Sequence, residues 1–426
     1  MSLTPAGYHT RIIDAQLEEA LGTFGAILLE GPRWCGKTWT MLNHANSVAY
    51  LMQEGTRLLA ESEVTTALEG ERPHAIDEWQ EVPEVWDAVR FAVDQKSQRG
   101  QYLLTGSVTR KRAKAKIRHS GIGRISRMRM RTLSLYESGE STGAISLSAL
   151  LAGEGCSAAR SKTLLTKLIE VTCRGGWPIT LTVDLKNPLR LSYDYLAGLL
   201  DNGSEDFEGD YDLAIREPAK FRYLMASLAR NSATPVKNTT LHNDVQAAAG
   251  EFSANTLAAY LQILRDFFIL EEIPGWNPAI RSKARVLSSP KRFFTDPSLA
   301  VAALETDPKK LKQELQTFGG LFESLCLRDL LIYAEAHNAR LSYYRDNSGL
   351  EVDAIVEAQG GSWGGFEVKL SNRGIEAGAR SLLRLKDKIQ RSKGPAPACL
   401  AVLTGSEVAY QRDDGIWIIP ITVLRD

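Results

Sequence analysis

The sequence predicts an α/β protein. It has a parallel-sheet core built around a phosphate-cradling loop, helical segments after it, and a second α/β region at the end. Three observations predict this. The apolar run Ala26-Ile27-Leu28-Leu29 leads into Gly31-Pro32-Arg33-Trp34-Cys35-Gly36-Lys37-Thr38, the P-loop pattern G-x-x-x-x-G-K-[ST] between a strand-like and a helix-like segment. A second apolar lead ends in Ile76-Asp77-Glu78, two acids delivered at a strand end. Far downstream, two strand-like segments carry Asp353 and the pair Glu367 and Lys369.

The P-loop spacing has a physical purpose. Gly31 and Gly36 let the backbone curl so that N–H groups point inward at phosphate oxygens. The loop residues Pro32, Arg33, Trp34 and Cys35 supply that backbone. Lys37 reaches the terminal phosphates and Thr38 offers a hydroxyl to Mg²⁺. The following helix presents its positive end to the anion.

The chain has 426 residues, so two to four domains are expected. Hydrophobic content of 44% and charged content of 24% fit a globular protein in water. With 51 basic and 51 acidic residues, the net charge is zero. Nucleic-acid binding therefore has to come from local patches. Cys35, Cys156, Cys173, Cys326 and Cys399 are scattered and show no C-x-x-C pairing, which argues against a disulfide framework or zinc site and fits a reducing cytoplasm. The N-terminal stretch lacks a signal-type apolar core, and no segment nears the ~20 apolar residues that span a bilayer.

In chain order, 11–24 reads as a helix with Ile12, Ile13, Leu17, Ala20 and Leu21 at helical spacing. Ser47 to Met52 reads as a strand and 56–69 as a helix. The stretch Pro73 to Gln80 reads as a Walker B motif, although His74 interrupts its apolar lead. There Asp77 holds the Mg²⁺ shell and Glu78 orients or activates the attacking water. A helix over 84–95 precedes the strand Gln101 to Ser107. Thr105 or Ser107 at its end would sense the γ-phosphate.

Residues 107–131 hold ten basic side chains and no acid: Arg110, Lys111, Arg112, Lys114, Lys116, Arg118, Arg124, Arg127, Arg129 and Arg131. A solvated loop, a phosphate-backbone contact, and an arginine completing a neighbour's ATP site all fit, with Arg118 and Arg124 as candidates for the last. Residues 145–228 are helical in pattern around a Cys173-to-Pro178 turn, with an acidic loop at 201–212. They read as a lid packed on the core. Residues 236–276 read as helix, turn, helix, strand. Ser253 is the N-cap of the second helix, whose exposed positions Asn255, Ala258, Ala259 and Gln262 are not basic. This winged-helix pattern suits a structural or protein-contacting role better than a DNA reader.

The last third opens with a helix carrying Glu323. Side chains two apart on a strand share a face, so Glu367 and Lys369 point together and the strand of Asp353 can lie beside them. Two carboxylates can hold Mg²⁺, and a lysine can polarise a water for attack on a phosphodiester. The quartet Glu323, Asp353, Glu367, Lys369 resembles the PD-(D/E)XK nuclease core, with Val352-Asp353 at the "PD" position. The alternative is a scaffold whose acids are half-exposed strand residues.

The series Leu29-Glu30-Gly31-Pro32-Arg33, Ile76 to Pro83, Leu103-Leu104-Thr105-Gly106-Ser107, Gly123-Arg124-Ile125, Gly175-Gly176-Trp177-Pro178, Pro290 to Asp296, Gly320 to Glu323, Glu351-Val352-Asp353 and Glu367-Val368-Lys369 resembles a known bacterial and archaeal family. Its members are AAA-type ATP-binding proteins, near the archaeal ATPases, whose C-terminal domain of unknown function has a restriction-endonuclease-like fold. The tract 110–118 is more basic than that family's pattern. The resemblance implies a P-loop AAA-type parallel-sheet ATPase core (1–140), a helical lid (141–230), a winged-helix segment (231–290) and a PD-(D/E)XK nuclease-like α/β domain (291–426). It implies ATP and Mg²⁺ as cofactors, with Thr38, Asp77, Glu323, Asp353 and Glu367 as metal ligands. Glu78, Asp353, Glu367 and Lys369 would be catalytic, while Ser107 and Arg124 would join the nucleotide site. DNA or another protein is an expected partner and a membrane is not. An arginine acting in trans requires a homo-oligomer.

Overall fold

The computed structural model describes residues 3–96, 98–106, 117, 120–181, 189–201, 217–278 and 288–426. Strands β1 (Ala26–Glu30), β2 (Ser47–Tyr50), β3 (His74–Asp77), β4 (Tyr102–Gly106) and β5 (Ile125–Arg129) form a parallel sheet in the order β2-β3-β4-β1-β5. The near-continuous apolar runs of β1 and β4 suit strands buried on both faces. Helices α1 (Ile12–Thr23), α2 (Lys37–His44), α3 (Glu54–Ser62) and α4 (Glu84–Lys96) accompany the sheet. One apolar cluster includes Leu28, Ile76, Trp79, Trp86 and Leu104. A second, around Leu17, Ile27, Leu29, Met41 and Leu103, covers the opposite face. The helix expected over 56–69 is broken at Glu63, whose extended backbone (φ −141°) and side-chain bond from Thr65 Oγ1 (2.7 Å) start a separate 3₁₀ turn.

Beyond the sheet come β6 (Ile145–Ser146), α5 (Leu147–Leu151), β7 (Ala159–Arg160), α6 (Leu165–Arg174), α7 (Arg190–Asp201), α8 (Pro218–Arg230), α9 (Asn238–Ala249) and α10 (Ala254–Asp266). Strands β8 (Leu270–Ile273) and β9 (Lys291–Phe294) pair antiparallel as a ribbon. Then follow α11 (Pro297–Ala303), α12 (Pro308–Gln313) and α13 (Leu315–Ala336). The final part contains β10 (Arg340–Arg345), β11 (Glu351–Glu357), β12 (Trp363–Lys369), α14 (Ile375–Arg391), β13 (Cys399–Thr404), β14 (Val408–Gln411), β15 (Trp417–Pro420) and β16 (Leu424–Arg425).

The C-terminal sheet has the order β10-β11-β12-β13-β15-β14-β7. Its last strand, Ala159–Arg160, comes from the segment expected to open the lid, and β6 from the same segment pairs with β16. A single apolar cluster runs from Leu135 and Trp177 through Phe221, Tyr260 and Phe294 to Phe318, Phe366 and Leu424. The helical segments thus share their core with the C-terminal sheet, whereas both faces of the five-stranded parallel sheet have clusters of their own. The order helix, helix, strand at 238–273 matches the reading of that region, and Ser253 Oγ accepts from Thr256 N as its N-cap (3.0 Å). The strand begins at Leu270, after Phe268 turns the chain with φ 58°. No helix among the described residues is long and apolar enough to cross a membrane.

Candidate nucleotide site and C-terminal acid cluster

The parallel register brings the C-terminal ends of β1, β3 and β4 to one edge of the sheet. The loop after β1 leaves along that edge and enters α2. Gly36 adopts φ 102°, a conformation that glycine takes without steric cost. Gly31 is required for another reason: a Cβ there would collide with the Met130 carbonyl. Lys37 is buried, and its Nζ donates to the carbonyls of Gly31 (3.0 Å) and Pro32 (2.9 Å). Arg33 and Trp34 are exposed while Pro32 and Cys35 are buried.

Thr38 Oγ1 donates to Asp77 Oδ1 (2.9 Å), and Thr105 Oγ1 donates to the same oxygen (2.5 Å). Burial raises the Asp77 pKa from its ordinary value, against the hydrogen bonds from Thr105 and Thr38. Glu78 takes a left-handed backbone (φ 54°, ψ 55°) and its N–H donates to Thr105 Oγ1 (3.1 Å). Its carboxylate accepts from the Gln80 amide. The sequence reading missed Gln80, although a polar residue two positions beyond the Walker B glutamate is a readable signal. Thr105 is the strand-end residue that the structure brings to Asp77. Ser107, its alternative, lies outside the described residues, as do Arg110 to Lys116, Arg118 and most of the acidic loop at 201–212.

Arg124, a candidate for a neighbour's ATP site, lies away from the chain's own nucleotide site. It precedes β5 beside the start of β1, at the opposite end of the sheet from the P-loop, with Nε on Asp94 (2.8 Å). The other described arginines of the basic tract also have acid partners. Arg127 lies 3.4 Å from Glu30 and Arg129 lies 3.0 Å from Glu271, while Arg131 meets both Glu271 (3.0 Å) and Glu335. These contacts all lie within the chain itself.

A further buried arginine had no reading in the sequence. Arg11 donates to the carbonyls of Cys35 and Arg131, both at 2.9 Å, and pairs with Glu137 (2.9 Å). It joins the P-loop to the segment that leaves the sheet. Trp34 meets Tyr195 of α7 edge-on, with ring centroids 5.4 Å apart.

In the C-terminal part, α13 carries Glu323, β11 carries Asp353, and β12 carries Glu367 and Lys369. The structure brings all four together. Lys369 Nζ lies 2.5 Å from Glu367 Oε2 and 3.3 Å from Asp353 Oδ2. Asp353 Oδ2 also accepts from Val368 N (2.9 Å). A fifth group sits in the cluster. Lys291 of β9, only 1% exposed, places Nζ 2.7 Å from Glu323 Oε1, 3.5 Å from Asp353 Oδ1 and 3.8 Å from Glu351 Oε1. It lay inside the quoted Pro290–Asp296 string. The available signal was a lysine beside the aromatic pair of a short strand.

Burial, then the Asp353 charge, pushes the Glu367 carboxyl up to about 8 and that of Glu323 up to about 7. Burial opposes ionisation of Asp353 too, but the ammonium groups of Lys291 and Lys369 outweigh it and hold that pKa below its ordinary value. Three acids facing two cations therefore retain a proton near neutral pH. Thr38 and Asp77 are hard oxygen donors of the kind Mg²⁺ takes. The C-terminal acids fit a divalent ion poorly, because ammonium groups already bridge them. Among the described residues, no three acid, imidazole or thiolate groups converge as a metal shell requires.

Three successive family models match the chain: "AAA domain" over 23–139, "Domain of unknown function (DUF8612)" over 165–310 and "Domain of unknown function (DUF4143)" over 318–424. Uncharacterised proteins of Mycobacterium bovis and Mycobacterium tuberculosis are each 25% identical over 378 residues, covering 87% of this chain and 76% of theirs. Among solved structures, a Walker-type ATPase of Pyrococcus abyssi aligns with TM-score 0.41 and 12% identity, over 71% of this chain and 99% of that one. The RuvB Holliday junction branch migration motor of Thermotoga maritima aligns with TM-score 0.29 and 17% identity, over 72% and 99%. With the P-loop, Asp77, Glu78 and Thr105 at one edge of a parallel sheet inside the matched segment, the chain contains an AAA-type P-loop ATP-binding domain, followed by segments that match two domains of unknown function.

Proposed function

We propose that the chain hydrolyses ATP with Mg²⁺ and uses the cycle as a switch on its C-terminal half. The observation that carries this reading is the convergence of Lys37, Thr38, Asp77, Glu78 and Thr105. ATP phosphates lie on the loop N–H groups and the N-terminus of α2. Lys37 exchanges the loop carbonyls for the terminal phosphate oxygens. Thr38 and Asp77 would hold Mg²⁺, which would supply positive charge to the phosphates when bound. Glu78 aligns a water with the γ-phosphorus and takes its proton as the bond to ADP breaks. Gln80 and Thr105 fix where Glu78 points. Lys37→Ala is expected to abolish ATP binding; unchanged nucleotide affinity in a folded variant would sink the reading. Glu78→Gln is expected to keep binding and lose at least ~100-fold in turnover, as loss of a positioned base does.

The assembled quartet favours a second reading, a restriction-endonuclease-like domain that cleaves DNA. Lys291 in its midst favours the alternative, an adaptor that binds nucleic acid or protein without cutting. We adopt the adaptor reading. The segment 231–290, winged-helix-like with non-basic exposed positions on α10, supports protein contact. Linear and plasmid DNA incubated with Mg²⁺ or Mn²⁺, beside a Lys369→Ala control, separates the two. Cleavage lost in the control supports the nuclease, while intact DNA throughout supports the adaptor.

A further inference from the structure

We infer that Lys291 is the resident cation of the C-terminal acid cluster: its ammonium fills the place of a divalent ion and keeps such an ion out. The inference rests on the assembled cluster and not on the ATPase reading. Lys291 Nζ faces four oxygens: Glu323 Oε1, Asp353 Oδ1, Glu351 Oε1 and the Asp353 carbonyl at 3.3 Å. A buried ammonium persists only where such partners compensate it.

The acids have little left to offer a metal. Asp353 turns one carboxylate oxygen toward Lys291 and the other toward Val368 N and Lys369. Glu323 bonds Lys291, and Glu367 bonds Lys369. Mg²⁺ asks for near-octahedral oxygens at ~2.1 Å, so it would have to displace Lys291 from between Glu323 and Asp353.

The strand carrying Lys291 cannot slide aside freely. Lys291 is in register with Ile273 across the ribbon, and all four residues of β9 are buried. Next to it, Arg292 Nε pairs with Glu272 (2.6 Å) and Nη1 donates to the Val236 carbonyl (3.2 Å). The Lys291 ammonium also sits over the Tyr343 ring, 5.8 Å from its centroid.

The test uses the full chain bearing Asp77→Asn, which removes the N-terminal metal ligand, and reads Mn²⁺ binding by electron paramagnetic resonance without nucleotide. With Lys291 present, we expect no bound Mn²⁺ that disappears on adding Asp353→Asn. With Lys291→Met, a near-isosteric neutral stem, we expect one Mn²⁺ bound at least tenfold more tightly, lost again on adding Asp353→Asn. Asp353-dependent Mn²⁺ binding with Lys291 in place overturns the inference. So does a folded Lys291→Met variant that gains no site. If Lys291→Met fails to fold, the comparison with Lys291 present decides alone, checked by the Mn²⁺-induced thermal shift with and without Asp353→Asn.

Discussion

His74 interrupts the apolar run leading to Asp77, and the fold accommodates it as a neutral ring. It is 2% exposed; Nε2 donates to the Ala67 carbonyl (3.1 Å) and Nδ1 lies 2.7 Å from Ser47 Oγ. Burial lowers its pKa to about 4. The folded pKa lies below the unfolded one, so the unfolded chain takes the proton first as pH falls. Stability is therefore complete above about 6.5 and is lost progressively toward about 4, by about 3 kcal/mol at most. Denaturant unfolding between pH 7.5 and 4 should show this slope, and His74→Gln should flatten it. An unchanged slope would place the ring's charged form within the fold. The sequence showed a histidine in a strand, but the bonds to Ser47 and Ala67 depend on how β2 and the 3₁₀ turn pack. Gly31 is similar: the motif named it for loop curvature, and the structure adds the close approach of Met130, 99 residues on in sequence.

At the scale of elements, Asp296 and Arg328 show what a local pattern can and cannot disclose. Asp296 Oδ1 caps α11 at Ser298 N (3.0 Å), a signal readable from Thr-Asp-Pro-Ser. Its Oδ2 accepts from Thr132 Oγ1 (2.9 Å), Gly176 N (2.9 Å) and Arg328 Nη1 (3.1 Å), contacts between segments far apart in sequence. Arg328 is 2% exposed and also binds Asp329. Asp296→Ala should cost roughly 3–5 kcal/mol, because it takes one of two carboxylates from a buried guanidinium and leaves Thr132 Oγ1 and Gly176 N without their acceptor. Asp296→Ala with Arg328→Met should cost less than the sum of the two single losses; additive losses in denaturant titrations would refute a shared network. The same locality explains which elements were legible. The P-loop, Walker B strand, α10 and the three strands around Asp353 announce themselves by short-range pattern. Pairing of Ala159–Arg160 with β14 and of Ile145–Ser146 with β16 is set by the tertiary fold, so the lid appeared separate from the domain whose core it shares. Lys291 reaches its acids through packing of β9 against α13 and β11, which no window of sequence contains.

Across the whole molecule, apolar cores lie on either side of a seam that polar groups cross beside the apolar contacts of Ile12 and Trp34. The parallel sheet has clusters on its two faces, and the remainder is built around two more. Arginines cross the seam. Arg11 holds the P-loop carbonyl of Cys35 and the carbonyl of Arg131, while Arg131 reaches Glu271 on β8 and Glu335 on α13. Gln16 of α1 donates to the Glu335 carbonyl (2.5 Å). Apolar interfaces resist sliding because any displacement opens voids, whereas ion pairs can exchange between discrete arrangements. A change in the P-loop on binding ATP can therefore reach the β8–β9 ribbon through Arg11, Arg131 and Glu271. Hydrogen exchange should show nucleotide-dependent protection in Leu270–Ile273 and Lys291–Phe294 of the unaltered chain. Arg131→Lys keeps the charge but loses the planar fork that grips two acids. It should leave ATP affinity within threefold and erase the change in the ribbon. If the ribbon of the unaltered chain exchanges identically with and without nucleotide, the signal does not travel by this route. If Arg131→Lys retains the response, the guanidinium is not the link.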